Sequence, residues 1–306
     1  MKVVITGGSG FVGTHLSRHL LKSGHRVTAL GSRATYDQID HPEFTYVSAD
    51  TTRPGSWQEA VAQGQWLFNL AGRTIFKRWS RSYKRQIYDS RILTTRNLVA
   101  ALPDQTSAVL VSTSAVGYYG DRGDEELVES SPAGKDFLAD LAKAWEAEAA
   151  AAESKGARVV IARFGIALGI DGGALAKMIP AFRSFTGGPL GSGKQWFPWI
   201  HIQDLVAALT FLSAGGSHRG AFNICAPHPV RNRQMAAALG KALGRPAAVA
   251  APAFMLKMMM GEMAGVLLGS QRTLPAELQQ AGFAFAFPRI DAALAHLIPG
   301  SKGEKG

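Results

Sequence analysis

The sequence predicts an α/β fold, with a Rossmann-type doubly wound parallel sheet and a smaller mixed, mainly helical C-terminal domain. Two observations carry this prediction. Short apolar runs rich in β-branched residues alternate with helix-length segments through the first two-thirds of the chain. A glycine-rich loop also joins the first of these runs to the first helical segment.

The first predicted elements are the strand "KVVIT" and a helix from about Phe11 to Lys22, in which Val12, Leu16 and Leu20 share one face. Gly24 stands where a glycine commonly ends a helix. Later strands are predicted at "RVTAL", "FTYVSA", "WLFNLAG", "SAVLVSTSA" and "ARVVIARFG". Long helices are predicted over about 80–102 and 136–154.

The pattern changes after Gly169, where glycine, proline and tryptophan become frequent and the chain later turns helical. These changes predict a dinucleotide-binding domain over residues 1–169, to which 198–226 return. Residues 170–197 and 227–300 are predicted to form a second domain on the substrate side, and 301–306 a disordered tail.

Composition narrows the class of protein. Of 306 residues, 46% are hydrophobic and 18% charged, and the net charge of +10 favours an anionic partner. The single cysteine, Cys225, excludes an internal disulfide, and no metal site is predicted. The apolar stretch 254–269 is interrupted by Lys257 and Glu262, so we expect a cytoplasmic protein with no membrane partner.

The motif "TGGSGFVG" predicts a dinucleotide site. Gly7, Gly10 and Gly13 follow an apolar strand and open a helix, where glycines permit a tight turn and the first N–H groups receive a pyrophosphate. We therefore assign Phe11 and Val12, at the start of that helix, to the same site. The alternative is a glycine turn that only connects strand to helix.

The end of the second strand favours NADP over NAD. An acidic residue there would bond the ribose 2′-hydroxyl of NAD, but the chain has Ser32 and Arg33, and Asp37 comes four residues later. An arginine pairs with a 2′-phosphate. The alternative for Arg33 is an ordinary surface arginine.

Several stretches together resemble a known family. "TGGSGFVG", "NLAG" at 69–72, "STSAVGYYGD" at 112–121 and "WIHIQD" at 199–204 are similar to those of extended short-chain dehydrogenases/reductases. "FKRWSRSYKRQIYDSR" and "GGPLGSGKQWFPWIH" resemble the atypical nucleoside-diphosphate-sugar epimerase-like branch with a small C-terminal helical domain.

The resemblance implies further cofactor contacts. Asp50 matches the acid that reads the adenine amino group, although a helix N-cap explains it equally well. Leu70, Ala71 and Gly72 match the backbone that runs under the cofactor ribose. The remaining cofactor-binding positions are Gln86 and Arg91, whose alternative is simple surface exposure, and Ile166.

The resemblance also implies a Ser or Thr, a Tyr and a Lys that together handle a proton. Ser114 matches the first, with backbone hydrogen bonding as its alternative role. Leu138 and Ala142 stand where the tyrosine and lysine belong. Lys143 is one residue further along, so its side chain points about 100° around the helix from that of Ala142. Tyr118 is a candidate replacement phenol, although packing or substrate contact is the favoured role for a tyrosine here.

Substrate contacts are predicted at Tyr119, Lys194, Trp196 and His201. The alternative for Trp196 is aromatic packing at the domain junction, and the alternative for His201 is a hydrogen-bonded histidine at the end of a strand. Asp204 is predicted to be a helix N-cap. Eight basic residues lie between Arg73 and Arg96, which suits a diphosphate, although a solvated basic helix face explains them equally well. A nucleic-acid partner is not favoured because no RNA-binding motif with stacking aromatics is present.

Two functions remain open from the sequence. One is an NADP-dependent epimerase, dehydratase or reductase acting on a small molecule such as a nucleotide sugar, with the usual Tyr–Lys relay missing. The other is a non-catalytic NADP-binding sensor or regulatory module. The methionine run Met258–Met260 is typical of a helix core or a dimer surface, so a homodimer is compatible with the sequence.

Overall fold

The computed structural model describes residues 1–298, and the predicted tail at 301–306 lies outside the described residues. The chain forms the strands β1 Lys2–Thr6, β2 Arg26–Gly31, β3 Phe44–Ser48, β4 Trp66–Asn69, β5 Val109–Ala115, β6 Glu126–Leu127, β7 Arg158–Phe164, β8 Ile166–Leu168, β9 Trp196–Phe197, β10 Trp199–His201, β11 Gly220–Ile224, β12 Val230–Arg231 and β13 Arg272–Thr273. The α-helices are α1 Phe11–Lys22, α2 Trp57–Ala62, α3 Arg81–Ala100, α4 Phe137–Ala150, α5 Gly173–Arg183, α6 Ile202–Ala214, α7 Asn232–Leu243, α8 Ala253–Met260, α9 Ala264–Leu268, α10 Ala276–Gln280 and α11 Ile290–Leu297.

Within residues 1–298, seven strands form one parallel sheet in the order β11-β7-β5-β4-β1-β2-β3. The chain builds outward from β1 to β3 on one side and then from β4 to β11 on the other. The strand order therefore reverses between β1 and β4, where doubly wound folds bind their ligands at the carboxyl ends of the strands. The predicted Rossmann-type architecture is confirmed.

Both faces of this sheet are buried, as expected for parallel strands covered by helices. Side chains alternate between two apolar clusters along each strand: Val3 and Ile5 join the cluster on one face, whereas Val4 joins the cluster on the other. Helices α1, α5, α6, α7 and α11 contribute to the first cluster, and α2, α3 and α4 to the second. Successive side chains of a strand point to opposite faces, and both faces of this sheet are covered. The strands therefore need apolar residues at nearly every position.

Short ladders attach the C-terminal region to loops at the carboxyl end of the sheet. β10 pairs with β8, β12 with β9, and β13 with β6 in the loop after β5. The predicted long helices are also present with slightly different ends. α3 spans Arg81–Ala100, and α4 ends at Ala150, where a 3₁₀ turn over Ala151–Lys155 continues it. In the described chain, no helix is both long and apolar enough to cross a bilayer.

The start of α6 differs from the prediction. His201, not Asp204, is the N-cap, because its Nδ1 accepts a hydrogen bond from the backbone N–H of Gln203 at 3.0 Å. Asp204 lies inside the first turn, buried, and accepts from the backbone N–H groups of Ala286 and Phe287 at 2.9 Å. The carboxylate therefore ties α6 to the segment before α11.

The His201 ring is fully buried. It stacks on Phe287 with ring centroids 3.9 Å apart, and its Nε2 lies 3.2 Å from Nδ1 of His296. Burial, helped by the charges of His296 and His15, lowers the pKa of His201 to about 4. The folded state therefore holds this imidazole neutral.

This burial predicts acid sensitivity. Between pH 6.5 and about 4, His201 is protonated in the unfolded chain but not in the folded chain. The contribution of His201 to the free energy of unfolding is therefore fully present above pH 6.5 and declines as pH falls to about 4. The loss from this residue is about 3 kcal/mol. Urea unfolding of the wild type and of His201→Asn, which keeps an N-cap acceptor, should show a shallower decline for the variant. Parallel declines would contradict the assignment.

Candidate cofactor and active site

The glycine loop folds tightly between β1 and α1. Gly7 has φ +69°, and the N–H of Gly10 donates to its carbonyl at 3.0 Å. A Cβ on Gly13 would lie 2.5 Å from the Gly7 carbonyl oxygen, so a larger residue cannot fit. α1 begins at Phe11 with no side-chain cap. Its first N–H groups therefore remain available to an anion, which fits a pyrophosphate.

Phe11 fixes the start of α1 against the loop after β8. A Cβ added to Gly169, Gly172 or Gly173 would meet its ring at 3.0 Å or less. One turn later, His15 Nε2 lies 2.9 Å from a carboxylate oxygen of Asp171. Val12 is half-buried against the core. The structure thus connects the predicted pyrophosphate site to the loop that begins the C-terminal half.

The end of β2 presents Ser32 and Arg33 to solvent. Within the described chain, the Arg33 guanidinium has no hydrogen-bond or ion-pair partner, although its carbonyl accepts from the Tyr46 hydroxyl at 2.8 Å. The rings of Tyr36 and Tyr46 contact each other in a tilted arrangement, with centroids 5.3 Å apart. An arginine that is held by its backbone and free at its head group suits a 2′-phosphate.

Sequence reasoning missed these two tyrosines. Tyr36 donates to Thr14 Oγ1 at 2.8 Å, which links the loop after β2 to α1. Tyr46 occupies a half-buried position in β3, and alternation along that strand could have indicated its orientation.

Asp50 does not cap a helix, since α2 begins seven residues later. Its Oδ1 instead accepts from the Thr52 backbone N–H at 3.1 Å and from the Thr52 hydroxyl at 2.6 Å. The carboxylate is otherwise exposed, 3.8 Å from Arg53. Of the two roles considered for Asp50, the capping role is wrong, and the adenine contact stays a prediction.

The end of β4 meets the glycine loop. A Cβ on Gly7 would lie 2.9 Å from the backbone of Ala71, and the N–H of Leu70 donates to the Thr6 carbonyl at 3.1 Å. Asn69 supports this junction from below: it accepts from the Thr6 hydroxyl at 2.7 Å and donates to Ser112 at 3.1 Å. The two segments predicted to line the cofactor are therefore neighbours.

Arg91 projects from α3 toward this junction, whereas Gln86 is exposed. The Arg91 Nη1 donates to the carbonyls of Arg73 and Ile87, each at 3.1 Å, and the guanidinium packs against Gly72. Its Nε and Nη2 donate to no group in the described chain. Burial lowers the pKa of Arg91 to about 10. A half-buried guanidinium with unused donors fits a polar ligand.

Ser114 belongs to a buried polar network at the end of β5. Its hydroxyl donates to Glu146 Oε1 on α4 at 2.6 Å. Arg163 on β7 donates to both Glu146 oxygens at 2.9 Å, so the carboxylate is held on two sides. Burial alone would lower the pKa of Arg163, but the hydrogen bonds and charge of Glu146 outweigh it and raise that pKa.

The two tyrosines after β5 complete the network. Tyr119 is fully buried, accepts from Arg163 at 3.0 Å and donates to Asn223 at 2.7 Å. Burial raises the pKa of Tyr119 to about 12 against the influence of Arg163. The half-buried Tyr118 ring lies under the Arg163 guanidinium, 3.6 Å from its carbon. Tyr119 therefore offers no surface to a substrate in this structure, whereas Tyr118 keeps a partly exposed ring.

The helix face expected to carry a tyrosine and a lysine is apolar. Leu138 packs against the apolar cluster of Tyr83, Ile87 and Leu141. Its Cβ lies 3.4 Å from where a Cβ on Gly117 would stand. Ala142 is buried, and Lys143 turns outward to pair with Asp140 at 2.7 Å. Sequence reasoning identified Ser114 but missed Arg163, whose charge near the carboxyl end of a buried, largely apolar strand was a usable signal.

On the C-terminal side, Trp196 lies between two guanidinium groups. Its ring centroid is 4.2 Å from Arg231 and 4.9 Å from Arg272, and its Nε1 donates to Asp124 at 2.9 Å. Lys194 is exposed beside it, and its carbonyl accepts from Arg231 at 2.6 Å. These residues gather against the loop after β5. His201 lies elsewhere, as the buried cap of α6, and presents no surface to a ligand.

Ile166 is half-buried in β8, between the end of the main sheet and the loop that Phe11 contacts. Among residues 1–298, no group of three His, Cys, Asp or Glu side chains is arranged to hold a metal ion.

Comparison with known proteins places this geometry in context. The family model described as "NAD dependent epimerase/dehydratase family" matches residues 3–225, and a domain of unknown function, DUF1731, matches residues 251–297. An epimerase family protein SDR39U1 homolog from the chloroplast of Arabidopsis thaliana is 40% identical over 299 residues, which cover 96% of this chain and 86% of that protein.

Solved structures give the same result. The crystal structure of human epimerase family protein SDR39U1 with NADPH matches with a TM-score of 0.84 and 32% identity, covering 97% of this chain and 99% of the human chain. MoeE5 in complex with UDP-glucuronic acid and NAD shares the fold, with a TM-score of 0.78, 21% identity and coverage of 97% and 98%.

The tight packing of the glycine loop gives a direct test. We expect Gly13→Ala to weaken NADPH binding by at least about a hundredfold, because the added methyl forces Gly7 out of place. Gly265→Ala is the matched control: it lies in a short helix, and its Cβ would meet nothing within 4 Å. Fluorescence titration with NADPH measures both. Equal affinities for the two variants would contradict the loop's role.

Proposed function

The chain belongs to the NAD dependent epimerase/dehydratase family, and from this premise we propose that it is an NADP-dependent epimerase, dehydratase or reductase of a nucleotide sugar or related small molecule. One observation carries the cofactor part: an uncapped α1 N-terminus lies at the strand-order reversal, and a free Arg33 head group follows the neighbouring strand β2. The human relative's structure with NADPH supports the same cofactor.

The residues that would hold NADP follow from their positions. The first N–H groups of α1 bind the pyrophosphate, and Ser32 and Arg33 bind the 2′-phosphate. Asp50 reads the adenine amino group, which its exposed second oxygen permits. Leu70, Ala71, Gly72, Arg91, Gln86 and Ile166 complete the contacts. When bound, NADP accepts a hydride from the substrate and NADPH returns one.

We assign proton handling to Ser114 with Glu146. Because the Ser114 hydroxyl already donates to Glu146 at 2.6 Å, its oxygen can receive a proton from a substrate hydroxyl while its own proton passes to the carboxylate. Arg163 donates hydrogen bonds to both Glu146 oxygens, which holds the carboxylate in place beside the Ser114 hydroxyl. This pair would act where the family uses a tyrosine and a lysine, and Tyr118 would contact the substrate.

A phosphorylated substrate suits the charges around the site. Arg231 and Arg272 lie near the Trp196 ring but pair with Asp124 and Glu126. The exposed Lys194 is therefore the cation here that would meet a phosphate. MoeE5, which shares the fold, has been crystallised with UDP-glucuronic acid.

A second candidate is a non-catalytic NADP-binding module. Leu138 packs in an apolar cluster at the position of the proton-donating tyrosine, and Ser114 is only 1% exposed. A protein that only senses the cofactor needs neither a proton-donating tyrosine nor an accessible serine.

Cofactor choice has its own test. Arg33→Ala should weaken NADPH binding by about tenfold to a hundredfold, since it removes a charge-assisted contact to the 2′-phosphate, and should leave NADH binding unchanged. Fluorescence titrations with both nucleotides measure this. Arg219→Ala is the matched control, because Arg219 is exposed and precedes β11 at the opposite edge of the sheet. Tighter binding of NADH than NADPH by the wild type would contradict the assignment.

Turnover separates the two candidate functions. Incubation with NADP and a panel of UDP- and dTDP-sugars, followed by nicotinamide absorbance and by product analysis, should reveal conversion by the wild type. Ser114→Ala should reduce conversion by at least about a hundredfold without changing NADPH affinity. The non-catalytic module is favoured if the wild type binds NADPH but converts no sugar in the panel, and if the Ser114→Ala variant behaves identically.

A further inference from the structure

Helix α8 presents an apolar face that nothing in the described chain covers. Phe254, Met255, Met258 and Met259 are 69%, 42%, 68% and 68% exposed, and none of the residues of α8 is buried. Their spacing places them in neighbouring turns on one side of the helix. The methionine run is therefore not a helix core.

Two loops that contact this segment extend the apolar surface. Residues 187–191 are hydrogen-bonded to residues 249–251, and beside this contact Val249 and Phe185 are 50% and 56% exposed. Beyond the other end of α8, Gly261 lies against Arg78, and Phe76, two residues earlier, is 40% exposed. Exposed apolar side chains grouped in this way mark an interaction surface.

Cations predominate around this surface. The three segments 72–88, 172–203 and 245–261 contain no aspartate or glutamate. Of their eleven basic residues, Lys257 lies in α8, Arg78 contacts Gly261, Lys177 contacts Phe76 and Arg245 contacts Phe185. The first acid after α8, Glu262, pairs with Lys84 and leaves Arg78 and Lys257 without a carboxylate partner among the described residues.

We propose that α8 and its neighbouring loops form a docking surface for an anionic phospholipid bilayer. Exposed Phe and Met side chains on a helix bordered by Lys and Arg fit an interface where the apolar face enters the acyl boundary and the cations meet lipid phosphates. A two-fold contact between two copies through this face would bring cations against cations, which opposes self-association. The proposal replaces the expectation, drawn from sequence, that no membrane is a partner, and it is independent of the proposed function.

Vesicle co-sedimentation of the full chain tests the proposal. Vesicles of phosphatidylcholine are compared with vesicles containing about one quarter phosphatidylglycerol. We expect binding to the anionic vesicles to be at least about tenfold stronger and to weaken as salt rises. The triple variant Phe254→Ser, Met258→Ser and Met259→Ser should reduce binding by at least about tenfold. Arg78→Glu with Lys257→Glu should reduce both the binding and its salt dependence.

Controls keep the test specific. Ile170→Ser removes a 50% exposed apolar side chain from another loop, and Lys22→Glu reverses an exposed charge on α1; both variants should bind as the wild type does. Thermal unfolding verifies that the serine variants remain folded. Absence of binding to anionic vesicles, or equal binding to neutral ones, would overturn the proposal. Self-association that the triple variant abolishes, without vesicle binding, would overturn it in favour of a second copy.

Discussion

The close approach of two chain segments at the strand-order reversal determines most of what this structure can bind. The backbones after β1 and β4 come so near that a methyl on Gly7 would collide with Ala71. Asn69 holds the two strands in register beneath them through the Thr6 hydroxyl. Because the loop is this compact, α1 begins with its N–H groups directed at the cleft, and the anion site follows from packing alone.

A second constraint acts at the end of β5. A buried arginine costs free energy unless it is paired, and Glu146 pairs with Arg163 through two hydrogen bonds. The same carboxylate receives the Ser114 hydroxyl, so one ion pair orients the residue that we assign to proton handling. The same guanidinium also packs on the Tyr118 ring and donates to the Tyr119 hydroxyl. The packing at the end of β5 and the proton handling that we propose therefore depend on the same three side chains, Ser114, Glu146 and Arg163.

Local patterns predicted the sheet and the glycine loop because each depends on residues adjacent in sequence. Apolar strands, helical spacing and the glycines at 7, 10 and 13 are all short-range signals. The cap of α6 was predicted at Asp204, whereas Asp204 bonds Ala286 and Phe287 more than eighty residues away. The two guanidinium groups around Trp196 and the pairing of Ser114 with Glu146 are likewise contacts between distant segments. Such contacts are set by tertiary packing, which no local pattern encodes.

If this fold holds NADP as we propose, Arg33 binds the 2′-phosphate and Ser114 lies beside the reacting carbon. A crystal structure of the NADPH complex measures both distances at once. We expect the Arg33 guanidinium within hydrogen-bond distance of the 2′-phosphate, and Ser114 as the polar side chain nearest the nicotinamide C4. A 2′-phosphate free in solvent, or a C4 faced only by Leu138 and Ala142, would contradict it.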